Sequence, residues 1–450
     1  MKISNIGKNI SALMIGGLVS SFVVSIMIAE PARAELWTPA FNQGPQKTLV
    51  LVIGYPACPL PAESEWPAVM SSVTQDIFGA TAPSLADFIY ENSYHQTSLY
   101  GDVYGPYWIS DGSSDFYQNI SKAMEQLHAQ NHDLDLTSYQ RVIQAFNCNS
   151  GTGPSPYNTD LTKVTPSGPA QQTWASAGWN SKYLLFHEFA HTLGISHSDF
   201  LSCSDYPGDS LLNCKHFDGF NMFTVMSPAW KLLEFTAIQR RQAGWLDPNN
   251  ELESISATSG SFTLAPIESS SGLREIRVPY GIIQNFNGND PDTRYRYGDV
   301  QAEYSIIYRK PSGSYDSISM CGTSTYSPYC SYNNEYAVFV SLSTKSIDSA
   351  RPWLVDHVLD ETPGSIAGVG FSQFDAMDGS IRYGEGFHDN NIHQSINYLY
   401  STINGVQIEL VDDPADCTRR MPDVSAATRT IPPGTSVKYQ FTVTNMDDVA

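Results

Sequence analysis

At 450 residues, with 41% hydrophobic and 12% aromatic side chains, the chain is long enough for two or three domains with sizeable cores. Its 46 acidic against 25 basic residues give a formal net charge of −21. That balance argues against nucleic acid as a partner, which needs clustered Lys and Arg, and suits either an ordinary solvated acidic surface or cationic and neutral partners.

Residues 1–34 have the layout of a secretion signal. Lys2 and Lys8 form a positive start, Ile10 to Ala29 is an apolar run broken by Ser20, Ser21 and Ser25, and Ala32 to Ala34 ("ARA") supplies a small-x-small cleavage site. The expectation is export with cleavage after Ala34; an uncleaved membrane anchor is the alternative, because the apolar run is long. No second segment is apolar enough to span a bilayer, so no stable membrane insertion is expected once the signal is removed. Export makes the 7 cysteines readable as disulfides. Proximity suggests Cys203–Cys214 and Cys321–Cys330, leaving Cys58–Cys148, one connectivity among about fifteen for six cysteines. Cys417 is left over, either free or paired beyond residue 450.

After a loose stretch to Gln46, "TLVLVI" (Thr48 to Ile53) reads as a buried strand ending at Gly54. Ser84 and Asp87 form a capping-box pattern before a helix with Leu85, Phe88 and Ile89 on one face. "TSLYGDVYGPYWI" alternates as strands do, and Phe116 to His128 has a helical stripe. "YQRVIQAF" (Tyr139 to Phe146) is another strand, and Asn147 to Trp179 is mostly loop with one short edge strand. A helix is expected to begin near Asn180 or Ser181 and run through "KYLLFHEFAHTL". Beyond Asp247–Pro248 the chain turns to short β segments, clearest in "YLYSTINGVQIELV" (Tyr398 to Val411), two strands around an Asn404-Gly405 turn. The organisation expected is thus a signal peptide (1–34), a first domain (35–247), a β-rich accessory domain (248–412) and the start of a β-sandwich (413–450) that the chain leaves incomplete.

The stretch "HEFAHTLGISH" (His187 to His197) carries the chemistry. His187 and His191 are four apart, so they stand one turn from each other on one helix face and can bind a single ion. Gly194, three residues on, can take φ > 0 and turn the chain so that His197 becomes a third ligand. Three protein ligands leave a fourth position for water, the arrangement of catalytic rather than structural zinc. Glu188, beside His187 but rotated off it, is placed to take a proton from that water and pass it to a leaving amine. Taken singly, a histidine is an ordinary surface or core residue, and His95, His128, His132, His216, His357, His388 and His393 are read so.

This motif resembles the metzincin zinc peptidases, and more narrowly the gametolysin-type branch with its bacterial secreted relatives. The similarity extends to "TLVLVI", to Ser84–Tyr107 and to "FTAIQRRQAGWLD" (Phe235 to Asp247), covering most of residues 47–247. The resemblance implies an α+β catalytic domain with a mixed sheet, an active-site helix and a methionine turn, followed by β-rich domains, with substrate lying along a sheet edge. Met226 in "FTVMSP", twenty-nine residues after His197, is the candidate methionine beneath the metal. Two features depart from the pattern. Pro228 stands where several metzincins carry a tyrosine that helps the oxyanion, and no propeptide is evident. Cys58 can be imagined as an inhibitory thiolate, but a disulfide suits it better. Asp205 and Asp209, between His197 and Met226, are weak candidates for calcium, since they form no recognised loop pattern. Trp174, Trp179 and Trp245 read as core.

The function expected is a secreted zinc-dependent endopeptidase acting on extracellular protein or peptide, with one catalytic zinc on His187, His191 and His197, Glu188 as general base and acid, and Met226 in support. The rivals are a secreted binding or adhesion protein with a vestigial metal site, and a zinc hydrolase acting on a non-peptide amide. Oligomeric state is left open.

Overall fold

A computed structural model describes residues 42–112, 116–146, 173–178, 182–202, 211, 214–217, 219, 221, 223–227, 232–286, 298–310, 314–315, 337–347, 354–359, 381, 384, 386–389, 391–412, 423–425 and 442–444. The expected signal segment, Asp205, Asp209, Pro228, Trp179 and the cysteines 148, 203, 321, 330 and 417 lie outside these residues.

The first layer of the fold grows from one strand. β1 (Gly44–Gly54) carries "TLVLVI", a continuous apolar run, and sits between two parallel neighbours, as strands buried on both faces do. Along the chain follow α1 (Trp66–Phe78), α2 (Leu85–Asn92), β2 (Thr97–Trp108), α3 (Phe116–Gln130), β3 (Arg141–Phe146), β4 (Thr173–Gly178) and α4 (Lys182–His191). The sheet order is β2-β1-β3-β4, and every pair is parallel. The family resemblance implies a mixed sheet, whereas the described strands of this one are all parallel. The parallel pairing follows from helical crossovers, α1 and α2 between β1 and β2 and α3 between β2 and β3, which bring each strand back in the same direction.

Period-two alternation sends β1 side chains to two cores. Leu49, Leu51 and Ile53 pack with Ile120, Ala123, Met124 and Leu127 of α3. Val50 and Val52 join Val73, Ile77, Phe88, Phe186 and Phe189 from α1, α2 and α4. Helices therefore cover both faces of the sheet. Ser84 caps α2 by accepting the Asp87 backbone N–H. The sequence reading passes over α1, because Val73 and Ile77 are its only fully buried residues and its apolar stripe is narrow.

The rest of the described chain is strand-rich: β5 (Ser198–Ser202), β6 (Lys215–Phe217), a short helix α5 (Ala237–Gln242), β7 (Ser254–Ser256), β8 (Gly260–Leu264), β9 (Glu275–Phe286), β10 (Gly298–Arg309), β11 (Ala337–Ser346), β12 (Leu354–Leu359), β13 (Gly386–Asp389), β14 (Gln394–Thr402), β15 (Gly405–Asp412), β16 (Asp423–Ser425) and β17 (Thr442–Thr444). A seven-stranded mixed sheet runs β6-β5-β12-β11-β10-β9-β7, so strands from before and after Asp247 share it. A four-stranded antiparallel sheet runs β13-β14-β15-β8. One core lies between these sheets, with Val300, Ala302, Tyr304 and Ile306 meeting Ile396, Val406 and Ile408. The opposite face of the seven-stranded sheet sends Phe200, Ile307, Phe339 and Val358 against Phe223, Ala237 and Leu246. The protein is of mixed α+β class, with few helices.

The β14–β15 hairpin turns one residue earlier than expected. Thr402 pairs with Gly405, which puts Ile403 and Asn404 in the turn. Gly405 serves another purpose: the Leu264 backbone carbonyl of β8 approaches so closely that a Cβ there would collide with it. Gly405→Ala is expected to lower stability by about 1–3 kcal/mol in denaturant unfolding, through strain against a neighbouring strand, whereas Asn404→Ala at the exposed turn should cost under about 1 kcal/mol.

Candidate metal centre

α4 presents His187, Glu188 and His191 from a helix that is buried along most of its length. It ends in a Schellman arrangement. Gly194 adopts φ 78°, its N–H donates to the His191 carbonyl at 3.1 Å, and the Ile195 N–H donates to the Ala190 carbonyl at 3.3 Å. This turn needs a left-handed residue, which glycine supplies without a Cβ penalty. It carries the chain back so that His197 faces the helix it has just left.

The three imidazoles converge. Ring centroids of His187, His191 and His197 lie 5.0, 5.2 and 5.0 Å apart, and one ligand atom from each falls within 4.8 Å of the other two. His187 Nε2 and His197 Nε2 are 3.3 Å apart. Donors on a tetrahedral zinc at ordinary Zn–N lengths are separated by about 3.3 Å, so this pair suits one ion. The outer nitrogens are tied down. His187 Nδ1 lies 3.0 Å from the Val225 carbonyl and His191 Nδ1 lies 2.8 Å from the Ile195 carbonyl. A carbonyl only accepts, so each Nδ1 carries the proton and each Nε2 offers its lone pair inward, which is the tautomer a metal needs.

Glu188 is buried, at 2% exposure, while His191 and His197 are half-buried, so the centre opens to one side. Burial, and then the Glu188 charge, raise the pKa of the Tyr183 hydroxyl. Met226 is buried in the cluster that also holds Phe186, Phe189 and Val225. Its turn is fixed by hydrogen bonds: Thr224 Oγ1 to Gln239 Oε1 at 2.7 Å, the Val225 N–H to the Leu233 carbonyl at 3.1 Å and the Ser198 N–H to the Met226 carbonyl at 3.3 Å. The carbonyl that orients His187 thus belongs to the residue beside Met226. Trp245 is a core residue whose Nε1–H donates to Thr97 Oγ1 at 2.8 Å.

Two supporting residues are invisible in the motif. Arg141 on β3 is fully buried and donates to the Thr192 carbonyl at 2.6 Å, setting a positive charge at the C-terminal end of α4, where the helix dipole favours it. Burial alone lowers its pKa from the usual arginine value. Asp356 on β12 accepts from Ser198 Oγ at 2.6 Å, Thr236 Oγ1 at 2.8 Å and Asn221 Nδ2 at 3.3 Å. It thereby fixes the strand that follows His197 to α5 and to the segment entering the Met226 turn. Burial first, and the nearby Asp199 charge among the remaining causes, push its carboxyl up, while the Ser198 and Thr236 hydrogen bonds pull it down. An acidic residue inside the apolar run "LVDHVL" is the one sequence signal that marks it.

Cys58 and Cys214 are buried and disulfide-bonded, and the cysteines expected to pair with them are outside the described residues. No described helix is long and apolar enough to cross a membrane. Comparison of the chain with models of protein families gives no match, and comparison with curated proteins gives none either.

Asp356→Ala removes the acceptor of the buried Ser198, Thr236 and Asn221 donors, among others, and is expected to cost about 3 kcal/mol in denaturant unfolding, with Asp356→Asn costing less because one acceptor oxygen survives.

Proposed function

We propose that the chain is a secreted zinc-dependent endopeptidase of metzincin, gametolysin-like type, cutting peptide bonds in extracellular protein. The observation that carries this reading is the convergence of three Nε2 atoms, two of them on rings held from behind by backbone carbonyls, beside a buried glutamate. A parallel sheet with α4 packed on edge strand β4, a turn at Gly194 and a buried Met226 support the finer family reading.

His187, His191 and His197 are the residues that would hold the ion, and their all-nitrogen donor set with fixed tautomers suits zinc. When bound, zinc supplies Lewis acidity to a carbonyl oxygen and to a water at the same centre. Glu188 is the proton carrier: its carboxylate accepts a proton from the attacking water and delivers it to the departing amine nitrogen. Burial of Glu188 beside a partly open centre keeps the group next to the reacting atoms and away from bulk water. Disulfide-bonded Cys58 and Cys214 support an oxidising, extracytoplasmic location.

The test uses the purified full chain with zinc as the only metal added. The parent is expected to hydrolyse casein. Glu188→Ala should keep its zinc while losing about 10²–10⁴-fold in kcat/KM, and His191→Ala should lose both zinc and activity. A parent that holds zinc yet cleaves no protein, or a Glu188→Ala variant as active as the parent, overturns the reading.

A further inference from the structure

The seven-stranded sheet carries a second group of metal-competent side chains. Asp199 of β5, His216 of β6 and His357 of β12 come from three neighbouring strands, and their ligand atoms all lie within 4.8 Å of one another. Strand register explains the meeting. Asp199 sits directly opposite His357 in the parallel β5–β12 pair. His216 sits opposite Leu201, two residues beyond Asp199 and therefore on the same face of the sheet. All three residues are buried.

The distances suit a shared cation. Asp199 Oδ2 is 2.7 Å from His216 Nε2 and 3.6 Å from His357 Nδ1. Nitrogen and oxygen donors on one tetrahedral zinc lie about 3.3 Å apart, so the 3.6 Å pair needs little change, while the 2.7 Å Asp199–His216 pair, a hydrogen bond here, must open by about 0.6 Å when an ion replaces its proton. The outer atoms are anchored as those of metal ligands usually are. The Gly219 N–H donates to Asp199 Oδ1 at 2.8 Å, and Thr344 Oγ1 lies 2.9 Å from His357 Nε2. The Thr344 hydroxyl can accept from His357 Nε2–H or donate to Nε2, and in the first case the Nδ1 lone pair faces Asp199 and can share a cation with it.

We propose that Asp199, His216 and His357 hold a second divalent cation, zinc by their donor set, which clamps β5, β6 and β12 and so fixes the strand that follows His197. The proposal does not depend on the peptidase reading. Its competitor is a proton-only Asp–His cluster that binds no metal.

The test is a metal count on the full chain after loading with zinc and dialysis against metal-free buffer. The parent is expected to hold about two zinc ions, His187→Ala/His191→Ala about one, and the same variant carrying His357→Ala none. Chelator should lower the melting temperature of the His187→Ala/His191→Ala variant. If the triple variant does not fold, X-ray absorption of the zinc retained by His187→Ala/His191→Ala decides: a first shell of two imidazoles with oxygen supports the site, and sulfur ligation overturns it. A His187→Ala/His191→Ala variant that retains no zinc and melts at the same temperature with chelator also overturns it. The failures are distinguishable. One zinc in the parent and none in His187→Ala/His191→Ala sinks this proposal alone, whereas one zinc in both sinks the first centre and leaves this one standing.

Discussion

Three imidazoles can share one ion only if their rings are oriented together, and here the backbone holds two of them from behind. The Val225 carbonyl fixes His187, and the Ile195 carbonyl fixes His191. A carbonyl cannot donate, so the backbone alone sets the tautomer of both rings. Both carbonyls depend on reversals of the chain, one at Gly194 and one in the turn around Met226. The centre is thus as rigid as those two turns, and much of the surrounding polar network keeps them in place.

That network is largely buried, which makes it demanding. Arg141 reaches from β3 to the end of α4 and to Asn42 Oδ1 at 2.8 Å, tying the parallel sheet to that helix. Asp356 gathers Ser198, Thr236 and Asn221 on one carboxylate and ties the seven-stranded sheet to the same region. Arg309 of β10 donates to the Phe223 carbonyl at the start of the Met226 turn. Three strands distant from the motif therefore hold its geometry. Removing one partner from such a set leaves a desolvated group behind, so the elements cannot drift independently.

β5 is where the two histidine groups come closest along the chain, with His197 just before it and Asp199 within it. Exposure separates them. His191 and His197 are half-buried and reachable from solvent, whereas Asp199, His216 and His357 are enclosed in the core, which suits a role in holding strands together. The same donor types serve different ends according to their access to solvent.

The sequence by itself determined what is local. β1 was legible because its apolar run is unbroken, α2 because Ser84 stands where a cap belongs, and the first centre because helical periodicity and one glycine confine His187, His191 and His197 to an eleven-residue window. Tertiary structure alone decided the rest. Parallel pairing in the first sheet depends on strand register between segments tens of residues apart, and the placing of Asp356 under Ser198 and the meeting of His216 with His357 on register across more than a hundred. The reason is physical: a helix fixes its own neighbours through the 3.6-residue repeat, while a strand's neighbours are chosen by burial elsewhere in the chain.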